Sequence, residues 1–264
     1  MVSLIIPSYR NPECLDLCLK SALEGQVNNN QIVVAIDGFI EESQHILEKY
    51  KDNISLLDLG HNQGMQQALN LGVMNAINER IVIINDDNVL CKDWDIIIEE
   101  DLKPGNVLTI NQIEPYAGMF GFPVGDFGTN PKEFKYNEFI EYELSLREDK
   151  FSPDGGIFPF AMWKKDYMIV GGFDTLYNSP FICDWDFFLK LELNGLDFIK
   201  THRAHFYHFV SMATKKGVNK EEMIASENPA VQIFKYKWGI SPQLFVNNSH
   251  NPKNGIQVKG IKFN

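Results

Sequence analysis

The chain has 264 residues, of which 44% are hydrophobic and 12% aromatic, and it carries a formal net charge of −11. That apolar content supplies a sizeable core and excludes an intrinsically disordered chain. The balance of 24 Lys and Arg against 35 Asp and Glu excludes a nucleic-acid partner gripped by basic residues and a polybasic membrane anchor, but leaves room for an anionic substrate, because a bound divalent cation reverses the local sign.

Residues 2–7 are a short β-branched and aliphatic run that predicts a first strand. Asn11-Pro12 reads as the N-cap and first position of a helix, continued by Leu15, Leu19, Ala22 and Leu23 at helical spacing. A second strand is predicted at 32–36, a helix at 41–50, a third strand at 54–59 and a helix at 63–78. A fourth strand, 81–84, ends in Asn85-Asp86-Asp87-Asn88. Apolar runs without polar alternation fit strands covered on both faces. Their alternation with helices implies an α/β fold, a Rossmann-like, mostly parallel sheet flanked by helices. The second half is less regular. It predicts a strand at 107–113, a Gly-, Pro- and Phe-rich loop at 115–131, a helix at 133–148 and an extended run at 157–163. A helix at 184–194, short strands at 197–201 and 205–209, and a helix at 220–238 with Pro229 as a break or new start follow. No structure is assigned to the tail from 239.

In open α/β sheets, ligands bind beyond the carboxyl ends of the strands. Pro7-Ser8-Tyr9, Asp37-Gly38, His61-Asn62-Gln63-Gly64 and Asp86-Asp87 all fall there. Adjacent carboxylates at a strand end repel each other, and a hard divalent cation relieves them. Strand alternation sends Asp86 and Asp87 opposite ways, so one of them, Asp87, is expected on the cation; Asp86 could hold a ribose or sugar hydroxyl. A solvated turn is the bland alternative. Asp184 and Asp186 fit first-turn helix acids, Asp184 fits a general base near an acceptor equally well, and Trp185 fits either the core or a surface for a sugar ring. His205 and His208 face opposite sides of a strand. His208 matters only if its strand end returns to the Asp86-Asp87 pair, where its imidazole could complete a cation shell. Cys14, Cys18, Cys91 and Cys183 read as buried thiols rather than a disulfide framework. With no secretory start and no run of roughly 18 apolar residues, the expected location is cytoplasmic, with peripheral membrane attachment left open.

The ordered phrases Val2 to Tyr9, Asn62-x-Gly64-x-x-x-Ala68-x-Asn70-x-Gly72, Asn85-Asp86-Asp87, Gly171-Gly172-Phe173-Asp174 and Asp184-x-Asp186 resemble the family 2 glycosyltransferases. Lys235 to Gly239 is similar to a C-terminal phrase of bacterial members. The resemblance implies a GT-A fold over residues 1–215, with a nucleotide-sugar half (1–112) and an acceptor half (113–215), then a helical extension and tail (216–264). It implies inverting transfer of a sugar from a nucleoside diphosphate sugar to a glycan, lipid-linked or other hydroxyl acceptor, assisted by Mn²⁺ or Mg²⁺. Residue by residue, it places Pro7, Ser8, Tyr9, Asp37, Asn62, Gly64 and Asp86 at the nucleotide-sugar, and Asp87 and His208 on the metal. Asp184 becomes the base, with Trp185 and Asp186 on the acceptor side. Ser211 completes a late His-x-x-Ser phrase. The chain departs from the pattern at Asp37, preceded by Ile36 rather than an acid, and at Leu69, Asn85 and Cys183. A nucleotidyltransferase-like enzyme and a non-catalytic carbohydrate-binding protein on a related fold remain as alternatives. The first needs a basic loop after strand one, where only Arg10 stands.

Overall fold

The computed structural model describes residues 1–117, 121–153, 157–177, 182–210 and 220–242. The first half alternates as expected: β1 (Ser3–Ser8), α1 (Pro12–Gly25), β2 (Gln31–Ile36), α2 (Ile40–Tyr50), β3 (Ser55–Asp58), α3 (Met65–Asn75) and β4 (Arg80–Ile83). β5 (Asn88–Val89), α4 (Trp94–Asp101), β6 (Asn106–Ile113), α5 (Tyr136–Leu146), β7 (Phe151–Pro153), β8 (Phe160–Trp163), α6 (Lys164–Ile169), α7 (Cys183–Leu193), β9 (Asp197–His208) and α8 (Lys220–Trp238) complete the described chain. The strands form one sheet in the order β3-β2-β1-β4-β8-β6-β9-β5, with β7 added on β9. β1, β2, β3, β4, β6 and β9 run the same way, so their carboxyl ends share one edge.

Every residue of β1 is buried because both faces of the sheet are covered. Leu4 and Ile6 join a core with residues of α1, α2 and α4. Ile5 points the other way, into a core with residues of α3, α7 and α8. Period-two alternation thus feeds two apolar layers from a single continuous run. β3 is the exception among the first four strands. It is largely exposed, as befits an edge strand, and Leu56 lies in the open.

Four elements went unpredicted: β5, α4, β7 and α6. The two short strands predicted at 197–201 and 205–209 are one strand. Ile110 pairs with Thr201 and Asn111 with His205, so residues 202–204 form a bulge that re-aims the strand end carrying His208. Pro229 lies inside α8 rather than ending it. Ala230 and Phe234 of that helix are fully buried in the second core. Within the loop predicted at 115–131, Glu114 and Val124 form a β-bridge; residues 118–120, Ser211 and the tail from 243 lie outside the described residues.

The Gly171-Gly172-Phe173 phrase has a local physical basis. Asn70 Oδ1 accepts from Phe173 N (2.8 Å) and the Tyr167 hydroxyl (2.7 Å), and its Nδ2 donates to Phe173 O (2.9 Å). Gly172 has φ +65°, and a Cβ there would stand 2.4 Å from Asn70 Oδ1. Gly172→Ala is therefore expected to destabilise the fold by about 1–3 kcal/mol, measured by urea unfolding, because it combines left-handed backbone with a clash on a part-buried hydrogen-bond hub.

Candidate active site

The loops that follow the parallel strands build a cleft edge. Asp37, just after β2, accepts Gln63 N at 2.6 Å on one carboxylate oxygen and Gly64 N at 3.0 Å on the other. Burial pushes its carboxyl above the usual range, and those two amides pull it back only in part. Gly38 (φ +86°) leaves no room for a side chain, since a Cβ would lie 2.8 Å from Asn62 N. Asp37, Asn62 and Gly64 are thus brought together, as a clamp of one loop on another. Tyr9 meets Phe39 edge to face with centroids 5.9 Å apart. Arg10 lies over the Phe39 ring at 4.5 Å and pairs with Glu42 at 2.9 Å. The one basic residue after β1 is therefore engaged with α2. That disfavours a triphosphate grip.

Asp86 and Asp87 diverge, as alternation requires. Asp86 accepts from Ser8 Oγ at 2.7 Å and from Asn11 Nδ2 at 3.0 Å, which ties the end of β1 and the start of α1 to the end of β4. Asn11 precedes α1 but makes no side-chain cap bond; its Nδ2 instead donates to Asp86. Pro7 is buried in β1, opposite Ala35.

Asp87 meets His208. The backbone causes this: Asn88 pairs with His208 across β5 and β9, and Phe209 N donates to Asp87 O at 3.2 Å. His208 Nε2 then lies 3.6 Å from Asp87 Oδ1, and its Nδ1 lies 3.2 Å from Glu114 Oε1. The sequence reading missed Glu114. The signal was present, an acid directly after a predicted strand, but nothing in the sequence marked it apart from other loop acids. Among the described residues, no three His, Cys, Asp or Glu side chains form a cage that would hold an ion unaided. One carboxylate and one imidazole within 3.6 Å nevertheless suit a cation that takes its remaining ligands from phosphate oxygens and water.

Asp184 lies in the first turn of α7, on the layer opposite α1. Its Oδ1 accepts Trp185 N at 2.9 Å. Desolvation raises its pKa to about 6, against the opposing pull of that amide. Cys183 bonds the Gln66 side chain, which fastens this end of α7 to the start of α3 at the cleft edge. Ile182, the residue before α7, has φ +69°. A β-branched residue there stores strain that the buried surroundings must hold. Arg10, Phe39 and Val210 also have positive φ and also follow strand ends at this edge.

Asp186, expected on the acceptor side, turns into the protein interior. Its side chain is fully buried, and it accepts from Trp238 Nε1 (2.7 Å), Lys237 Nζ (2.9 Å) and the Tyr177 hydroxyl (3.2 Å). Lys237 also pairs with Asp174 at 2.6 Å. Trp185 is partly buried and packs against the second core. Among the described residues, no helix is long and apolar enough to cross a membrane.

Residues 3–168 match the sequence profile of Glycosyl transferase family 2. An uncharacterized glycosyltransferase of Haemophilus influenzae is 24% identical over 201 residues, covering 72% of this chain and 62% of the relative. The chain thus spans less than two thirds of that relative's length. Crystal structures with the same architecture include S. aureus TarS 1–349, with TM-score 0.58 at 16% identity over 92% of this chain and 73% of that one. GalNAc-T7 with UDP, GalNAc and Mn²⁺ also has TM-score 0.58, at 12% identity over 79% of this chain and 43% of that one. Such identities establish a shared GT-A architecture alone. The profile match covers well over half of the chain and runs through every element from β1 to α6, and on that ground the chain belongs to glycosyl transferase family 2.

Proposed function

We propose that this protein moves a sugar, with inversion, from a nucleoside diphosphate sugar to an acceptor hydroxyl, assisted by a divalent cation. The observation that carries the reading is the meeting of Asp87 with His208 at 3.6 Å, where two strand ends converge at the sheet's carboxyl edge. Asp184 supports it as a partly buried carboxyl whose pKa of about 6 suits proton transfer near neutrality. The structures of other family-fold proteins point the same way: S. aureus TarS has been crystallised with UDP and with UDP-GlcNAc, and GalNAc-T7 with UDP, GalNAc and Mn²⁺.

In this reading the first-half loops bind and orient the nucleotide. Tyr9 and the Asp37 clamp flank it, and Asp86 fixes the spacing of β1 and β4 beneath it. Asp87 and His208 would hold the cation, which when bound supplies positive charge against the diphosphate. Asp184 accepts the proton of the acceptor hydroxyl as its oxygen bonds to the anomeric carbon and the bond from that carbon to the phosphate oxygen breaks. The proton ends on Asp184 and the electron pair on the nucleoside diphosphate. Attack opposite the leaving group inverts the anomeric centre. We assign residues 1–215 to this unit and 216–264 to an extension whose helix packs on it.

A thermal-shift screen of UDP-, GDP- and dTDP-sugars with Mn²⁺ or Mg²⁺ tests the proposal, since a ligand of the native state raises the apparent Tm. At least one donor is expected to raise Tm more with metal than without, and Asp87→Ala is expected to remove the metal-dependent part. A screen with no stabilising donor overturns the reading. Metal-dependent stabilisation that survives in Asp87→Ala removes that residue's assignment.

A further inference from the structure

Glu114 has no assigned part in the reaction, yet it is mounted as firmly as any residue at the cleft. It stands one residue past β6. Its backbone N donates to Pro123 O at 3.1 Å, and its O accepts Gly125 N at 2.9 Å, so the chain is pinned on both sides. The residue is 6% exposed. Its Oε1 lies 3.2 Å from His208 Nδ1, while the other ring nitrogen lies 3.6 Å from Asp87. The three groups run from the end of β6 through the end of β9 to the start of β5.

We infer that Glu114 is a positioning residue that fixes the tautomer and ring angle of His208, so that the Nε2 lone pair is turned toward Asp87 and the cation between them. The inference rests on the metal site proposed above. Its physical basis is the division of labour in an imidazole. The nitrogen that donates a hydrogen cannot also ligate, so a carboxylate accepting from Nδ1–H leaves Nε2 as the ligand atom. A carboxylate behind a ligating histidine also raises the ring's basicity, and loss of such a partner typically costs about 10–100-fold in metal affinity. The charge balance agrees. Two carboxylates flanking one imidazole leave a local negative charge that a divalent cation offsets.

The test is Mn²⁺ titration of the full chain with saturating UDP, reading free Mn²⁺ by electron paramagnetic resonance, together with ¹⁵N NMR of the His208 ring. Glu114→Ala is expected to weaken Mn²⁺ by about 10–100-fold and to release the Nδ1–H tautomer preference. Glu114→Gln, whose amide oxygen can accept the same bond, is expected to restore the tautomer and most of the affinity. Excess Mn²⁺ should return the turnover of Glu114→Ala toward the parent value. Equal affinity in the parent and Glu114→Ala overturns the inference. So does equal, complete loss in Glu114→Ala and Glu114→Gln with the tautomer unchanged, which would make the carboxylate itself a ligand. If the parent chain binds no Mn²⁺ with UDP, the metal reading of the site fails. The NMR arm still judges the Glu114–His208 contact, and a parent His208 without an Nδ1–H preference overturns it.

Discussion

Asp184→Asn is expected to bind the donor normally and to lose transfer by about 10²–10⁴-fold in kcat, the usual worth of a positioned general base. The amide is nearly the same size and can still accept Trp185 N, so α7 keeps its first turn. What it cannot do is take a proton. The pH dependence follows from the same burial. With a pKa of about 6, the side chain acts as a base only above that value, so kcat/KM of the parent should climb as pH rises through about 6. The folded carboxyl also holds its proton more tightly than an unfolded one. Stability therefore falls as pH rises from about 4 to about 6, and the full cost is present above that window. A carboxyl raised to about 6 by desolvation costs at most about 3 kcal/mol above that window. Asp184→Asn should consequently be more stable than the parent at pH 7.5 and no more stable at pH 4, by urea unfolding at both. Transfer unchanged in the variant would remove Asp184 as the base.

Asp186→Ala is expected to behave in the opposite way, costing about 3–5 kcal/mol of stability. The variant strips three donors of their shared acceptor: the Trp238 indole, the Tyr177 hydroxyl and the Lys237 ammonium. Lys237 retains Asp174, but the two neutral donors are left in a buried place without a partner. Lys237→Ala probes the same hub from the other side, where it leaves the buried carboxylate with two neutral donors and the more distant Lys190, 3.9 Å away. The double variant should cost less than the sum of the two, since both single changes break the same Asp186–Lys237 contact. Chemical denaturation measures all three. A loss below about 1 kcal/mol in Asp186→Ala would show that the hub is incidental to stability.

Asp184 and Asp186 mark where the sequence was legible and where it was not. Both were read as helix-start acids facing a cleft. A helix turns about 100° per residue, so positions two apart lie on opposite sides, and one of the pair had to face the protein. That signal was available and points to Asp186, whose neighbours Phe187 and Phe188 are buried as well. The first four strands were legible because long apolar runs admit few other folds. α4 was hidden because Ile96-Ile97-Ile98 carries no helical period, and α6, β5 and β7 are too short to show one. Pairing between β5 and β9 places His208, and no local pattern in either segment foretells it. Glu114 escaped for the same reason: its meaning lies in a partner 94 residues away.

The Asp186 hub also bears on how the molecule comes into being. Its nearer counter-charge and its indole donor lie 51 and 52 residues further along the chain. During synthesis from the amino end, α7 emerges with a carboxylate destined for a buried position, and the cation then at hand is Lys190 of the same helix, 3.9 Å away, rather than Lys237 at 2.9 Å. That helix carries Asp184. A nascent chain therefore reaches its final packing around Asp184 only after Lys237 and Trp238 have left the ribosome, and a shortened product lacking them is expected to be cleared by proteases rather than to persist as a folded fragment.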